Sequence, residues 1–123
     1  MFTETRAFSG FAVGDVARAK EFYGDTLGLK VTEANGMLTL HLATGADVMV
    51  YPKPGHVPAT YTILNFPVDS VDDAVDELAA RGVTMARYEG FGQDDRGVMR
   101  GHGPDIAWFT DPDGNVLSVV GTR

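Results

Sequence analysis

The groups able to do chemistry in this 123-residue chain are three histidines, seventeen carboxylates, and scattered hydroxyls and aromatics; there is no cysteine. Lack of cysteine excludes disulfides, thiolate zinc sites and a cysteine nucleophile together. The histidines stand at 41, 56 and 102. His41 alternates with Leu40 and Leu42, so it occupies the strand face opposite the leucines. That placement admits two readings: a group pointing into a ligand groove, or a hydrogen-bonded or solvent-facing strand residue. His56 sits among prolines and His102 among glycines, and the three are not spaced as ligands on one element. A relocated metal site built from His41, His102 and acidic residues would need the fold to bring distant segments together. No G-x-S-x-G nucleophile turn, phosphate-cradling G-x-x-x-x-G-K-S/T or strand-anchored G-x-G-x-x-G occurs. Asp72, Asp73, Asp76 and Glu77 read as a solvated helix surface rather than a paired acid and base.

Bulk charge narrows the partners. The formal net charge of -7 repels phosphate backbones, so nucleic acid is not an expected partner. It steers cations toward the surface and also serves solubility. No apolar run is long enough to span a bilayer, and the N-terminus shows no basic-then-apolar leader. With the missing cysteines, these features give a cytoplasmic expectation and no membrane partner.

An internal repeat organises the rest. Phe11-Ala12-Val13-Gly14-Asp15-Val16-Ala17-Arg18-Ala19 and Phe66-Pro67-Val68-Asp69-Ser70-Val71-Asp72-Asp73-Ala74 share Phe, Val, Val and Ala at an offset of 55. Each begins as an alternating strand (about 7–13 and 61–68) and meets a capping residue, Asp15 or Ser70. A helix follows, with buried stripes at Val16, Ala19, Phe22 and Tyr23, and at Val71, Ala74, Val75 and Leu78. The first helix runs to Thr26 and is closed by Gly28; Gly82 closes the second. Extended segments follow at 29–33, 37–42 and 48–51, with Asn35-Gly36 as a hairpin turn, and at 83–88, 105–110 and 116–120. In 61–68, alternation puts Thr62, Leu64, Phe66 and Val68 on one face and Tyr61, Ile63 and Asn65 on the other. The expected fold is α+β: two tandem βαβββ modules with helices on the outer face. It forms one domain over 1–123, with half-units of about 1–53 and 60–123 and a Pro-rich linker over 52–60. Residues 89–104 hold five glycines and read as a long loop, with Phe91 as the apolar tip of a lid and Asp94-Asp95-Arg96 setting polarity at its mouth.

Phe11-x-Val13-x-Asp15, then Ala19-x-x-Phe22-Tyr23-x-x-x-Leu27-Gly28, and Phe109-x-Asp111-Pro112-Asp113-Gly114-Asn115 before the last strand, resemble the vicinal oxygen chelate superfamily. That superfamily includes glyoxalase I, bleomycin-resistance proteins and extradiol dioxygenases. The resemblance spans essentially the whole chain. It implies a cup-like curved sheet per module, often a homodimer, and in many members a divalent metal held by His and Glu from the cup faces of four strands. Other members bind ligands without metal.

The matching positions, taken one at a time, carry poor donors. Seven residues before the capping Asp15 lies Phe8, and the same register from Ser70 gives Ile63. Seven after Asp111 lies Ser118, and the fourth position is Met49 or Tyr51, with Val50 if the register slips. These side chains do not suit a hard or borderline dication. The expectation is therefore no metal and no cofactor. Phe8, His41, Met49, Tyr51, Tyr61, Ile63, Asn65, Trp108 and Ser118 are the candidate ligand contacts, an aromatic surface with a few polar groups. The leading reading is a glyoxalase/bleomycin-resistance-like homodimer that binds a small cationic or aromatic molecule. The alternatives are a divergent lyase, isomerase or dioxygenase with relocated metal ligands or none, and an interaction module whose cup faces pack in a dimer.

Overall fold

The computed structural model describes residues 1–122. The chain divides into two compact units, Met1–Val57 and Pro58–Arg123.

In the first unit, β1 (Ser9–Val13) leads to α1 (Val16–Lys20). Asp15 caps α1 by accepting a hydrogen bond from the Arg18 backbone N–H at 3.1 Å. The helix does not continue regularly to Thr26 as the periodicity suggested. Over Glu21–Thr26 it widens into a π-helix, and the Leu27 N–H donates to the Phe22 carbonyl. The wider turn accommodates Phe22 and Tyr23, whose rings pack edge to face at 5.2 Å, with Phe11 5.7 Å from the fully buried Tyr23. β2 (Lys30–Ala34), β3 (Met37–His41) and β4 (Asp47–Pro52) complete a sheet of order β1-β4-β3-β2. Asn35 and Gly36 both take positive φ (55° and 75°) and form the tight turn that sets Ala34 opposite Met37. One face buries Val13, Leu38, Leu40, Val48 and Val50 with Ala19 and Tyr23 of the helical segment.

In the second unit, β5 (Thr62–Val68) is followed by α2 (Val71–Ala80), whose Ser70 cap accepts from the Asp73 N–H at 3.1 Å. β6 (Val98–Met99), β7 (Ile106–Thr110) and β8 (Val116–Gly121) give the order β5-β8-β7-β6. The core holds Val71, Val75 and Leu78 of α2 with Ala107, Phe109, Leu117 and Val119. Both units are thus βαβββ, and the α+β expectation holds.

Two details differ from the sequence reading. Residues 83–88 form no strand. Their backbone is satisfied partly by main chain, with the Val83 N–H donating to the Leu78 carbonyl and the Ala86 N–H to the Trp108 carbonyl at 2.7 Å. One side chain does the rest: the Gln93 amide accepts from the Tyr88 N–H at 2.7 Å and donates to the Ala86 carbonyl at 3.0 Å. The sixth strand lies instead at Val98–Met99, inside the glycine-rich segment. Gly97 allows this, with φ of 88° and room for no Cβ without pressing Met85 at 3.2 Å. A β-bulge lies between Thr62 and Leu64, with Ile63 as the extra residue. It reverses the alternation before it, so Thr62 shares a face with Asn65 rather than with Leu64.

Candidate functional site

Each sheet has one face under its helix and one that is not, and the second face carries the polar chemistry. On the first sheet, register arranges that open face in rows. Lys30, His41 and Asp47 stand side by side on β2, β3 and β4, and Phe8 precedes β1 at the same end. The next row is Thr32, Thr39, Met49 and Gly10. Beyond it lie Ala34 opposite Met37, and Tyr51 opposite Ala12. The face thus grades from charged to apolar over about 13 Å, four strand residues. A cavity of about 660 Å³ lies at its charged end, lined by Arg6, Phe8, Thr39, Asp47 and Met49 among others. That volume suits a small molecule.

His41 is fixed at both ring nitrogens. Nδ1 lies 3.1 Å from Asp47 Oδ1, and Nε2 lies 2.9 Å from Thr32 Oγ1. A carboxylate only accepts, so Nδ1 carries the proton; in the neutral ring Nε2 then accepts from the Thr32 hydroxyl.

The open face of the second sheet is already occupied by its own chain. Ser118, fully buried, donates to Asn65 Oδ1 at 2.6 Å. The Trp108 indole N–H donates to Thr62 Oγ1 at 3.0 Å. Tyr88 and Phe91 stack edge-on against Trp108, with centroids at 5.7 and 5.3 Å. Burial pushes the Tyr88 phenol above its ordinary pKa, because the phenolate would lose hydration. The apolar tip expected for a lid is therefore folded down onto the sheet. The segment behind it is fastened: Asp94 accepts from the Val98 and Arg96 N–H groups at 2.9 Å, and Arg100 bridges Asp72, Asp94 and Asp105. Arg96 also pairs with Asp76. The Asp94-Asp95-Arg96 string thus ties this segment to α2.

Among the candidate contacts, Phe8, His41, Met49 and Tyr51 stand on one face of the first sheet. Asn65, Trp108 and Ser118 share one face of the second. Tyr61 precedes β5 and is 70% exposed, and Ile63 is the bulge residue. Sequence reasoning missed Thr32, Thr39, Asp47 and Arg6 on the first face. A signal for the first two existed: the two-residue Asn35-Gly36 turn fixes Thr32 opposite Thr39 and Lys30 opposite His41. Nothing in the local sequence announces the bulge that brings Thr62 to Trp108.

The family's metal does not fit these residues. Phe8, Met49 or Tyr51, Ile63 and Ser118 offer carbon, thioether, phenol and an engaged hydroxyl in place of imidazole and carboxylate. Among the described residues, no group of three or more His, Asp or Glu side chains could hold a metal ion. No helix among them is long and apolar enough to cross a membrane.

Comparison with known proteins agrees with this architecture. The fosfomycin resistance protein FosX from Listeria monocytogenes superposes with a TM-score of 0.72 at 14% identity, covering 95% of this chain and 92% of that one. A glyoxalase family protein from Enterococcus faecalis gives 0.70 at 21% identity, covering 98% and 99%. An antibiotic-binding protein from a Streptomyces species gives 0.70 at 22%, again covering 98% and 99%. At these identities the likeness is one of fold. No curated protein matches the sequence. The family model for the Glyoxalase/Bleomycin resistance protein/Dioxygenase superfamily matches residues 7–119, nearly the whole chain, and the chain belongs to that superfamily.

Proposed function

We propose that this chain is a metal-independent binding protein of the bleomycin-resistance type, which takes a small cationic or aromatic molecule onto the open face of its first sheet. The observation that carries this reading is the composition of that face. A carboxylate, Asp47, and apolar Phe8 and Met49 line one cavity of about 660 Å³, with the partly exposed Tyr51 beyond them. The positions that match the family's metal ligands in this unit are held by Phe8, just before β1, and by Met49 or Tyr51 on β4. An acidic group beside aromatic and thioether surface recognises a cation attached to an apolar ring, by charge and by contact area. The net charge of -7 draws such a ligand in. Two superposed proteins support the class: one is named for fosfomycin resistance and the other for antibiotic binding.

On the second sheet, Asn65 and the adjoining Tyr61 remain available as contacts, while Trp108, Ser118 and the bulge at Ile63 serve as their support. The reading includes a cytoplasmic homodimer of single domains, in which exposed Phe8 and Tyr61 gain cover. Sedimentation of the purified chain tests the dimer.

The function is tested by thermal unfolding with a panel of antibiotics that includes aromatic and cationic compounds, alongside elemental analysis of untagged protein. A ligand at a hundred times its Kd adds about 2.7 kcal/mol of stability, a shift of several degrees for a domain of this size. The expected result is such a shift for at least one cationic or aromatic member, no stoichiometric metal, and a melting temperature unmoved by chelator. One equivalent of transition metal with a large loss of stability on chelation would overturn it.

A further inference from the structure

The hydrogen-bonded line Thr32–His41–Asp47 is the one arrangement on the open face that does more than provide contact surface. It takes one residue from each of three adjacent strands, β2, β3 and β4, so backbone register holds it rather than a loop. Its logic is that of an acid-oriented imidazole facing a hydroxyl. Asp47 fixes the ring and the Nδ1–H tautomer, and the lone pair of Nε2 is aimed at the Thr32 oxygen 2.9 Å away. An aliphatic alcohol holds its proton too tightly to give it up to imidazole. Thr32 therefore occupies the position of a better proton donor without being one. It lies on β2 at the sheet edge and is exposed, so rotation about χ1 frees Nε2 for a ligand hydroxyl.

We propose that His41 is the proton acceptor of a subsite for weakly acidic hydroxyl compounds, a phenol or enol carried on an apolar ring, whose O–H replaces that of Thr32. The inference rests on the reading of this face as the ligand site; of the cationic and aromatic ligands that reading admits, it selects the aromatic class and adds an acidic hydroxyl. On binding, the ligand O–H bond breaks, the proton passes to Nε2, and the electron pair stays on oxygen, leaving an imidazolium beside a phenolate or enolate. No other reactant is needed. The charged groups around His41 match both products. Asp47 on β4 stabilises the imidazolium, and Lys30, opposite His41 on β2, stands ready for the ligand oxyanion. Arg6 lines the same cavity as Asp47 and adds positive potential on that side. One row away, about 7 Å along the strands, Thr39 and Met49 are placed to receive the ring.

The test uses 4-nitrophenol, whose ionised form is coloured, with 4-nitroanisole as the probe lacking the proton. Both are titrated into the full chain in buffer one pH unit below the free midpoint of the phenol. In the wild type we expect nitrophenolate absorbance to rise as the phenol binds. His41→Gln should lose the rise while binding nitroanisole within a few-fold of wild type. Asp47→Asn should cut the ionised-to-neutral ratio of bound probe a few-fold, because the carboxylate facing the imidazolium at Nδ1 is lost. Thr32→Val, which removes the competing hydroxyl, should tighten nitrophenol binding and leave nitroanisole unchanged. In the free protein, ¹⁵N spectra should show His41 as the Nδ1–H tautomer. Nitrophenol bound without a colour change, an unaltered response in His41→Gln, or an Nε2–H tautomer would overturn the inference. Neither probe binding while the antibiotic panel still shifts the melting temperature would overturn this inference alone. No binding in either assay would overturn the functional reading with it.

Discussion

Phe91 stands over Trp108 with ring centroids 5.3 Å apart and planes at 70°. Tyr88 meets both rings, so three aromatics from one chain segment and one strand close the open face of the second sheet. Trp108 is the sole tryptophan, so its emission reports this cover directly. Phe91→Ala should shift that emission to the red and raise its quenching by acrylamide. Phe91 is itself 42% exposed, so its loss falls below the range for a buried ring and should cost about 1–2 kcal/mol. Unchanged emission would mean that the segment does not lie on Trp108 in solution.

Acid should loosen the same segment through Asp94. The Val98 N–H holds its carboxyl below the usual carboxylate range, the Arg96 N–H and Arg100 lowering it further against some desolvation. A folded-state pKa lower than the unfolded one gives stability that is present above the ordinary carboxylate value of about 4 and is lost as pH falls through the lower folded value. Asp94→Asn removes the charge, so wild type should exceed it in urea resistance at neutral pH. The gap should close in acid below the usual carboxylate range. A gap that stays constant with pH would assign the Asp94 contribution to shape alone.

The parts of this molecule that the sequence displays are those where a residue acts on its own neighbours. Asp15 and Ser70 cap backbone three residues ahead, and Asn35-Gly36 turns the chain upon itself, so spacing reveals them. The repeat of Phe11 and Phe66 at an offset of 55 then gives both βαβββ units. Long-range chemistry is hidden. Gln93 takes up the Tyr88 N–H and the Ala86 carbonyl by reaching back five to seven residues, and a lone glutamine in a glycine-rich stretch carries no such signal. The bulge at Ile63 changes which side chains meet Trp108 without altering the alternating pattern. His41 was visible as a strand residue opposite the leucines. Its partner Asp47 was not, because the β3–β4 register emerges only when the 42–46 turn is folded.

The Asp111–Asn115 turn should be the costliest polar site to disturb. Asp111, 3% exposed, accepts from the Asp113 and Asn115 N–H groups through Oδ1 and from the Asn115 side-chain amide through Oδ2, each at 2.9 Å. Asp111→Ala leaves three donors to find new partners, and bonds to a charged acceptor are stronger than neutral ones. A loss of about 3 kcal/mol in urea unfolding is expected, with about 1–2 for Asn115→Ala. A loss below that of Asn115→Ala would show that water replaces the carboxylate readily.

Ser118 and Asn65 give an asymmetric pair of mutants. Ser118 is 0% exposed and donates to Asn65 Oδ1 at 2.6 Å, while Asn65 is exposed. In Ser118→Ala the Asn65 oxygen turns to water, and the expected cost is about 0.5–1 kcal/mol, the net worth of one hydrogen bond. In Asn65→Ala the Ser118 hydroxyl is left buried without its acceptor, at a cost of about 1–3 kcal/mol. The double mutant should therefore be about as stable as Ser118→Ala alone, since removing the hydroxyl removes the penalty. Equal single-mutant costs would mean that the hydroxyl finds another acceptor. The ordering also bears on function, because a hydroxyl pinned in this way is neither a free nucleophile nor a ready metal ligand. If Asn65→Ala proves harmless and a divalent cation then stabilises that mutant, Ser118 can reach a ligand after all, and the metal-free reading of the second sheet fails at that position.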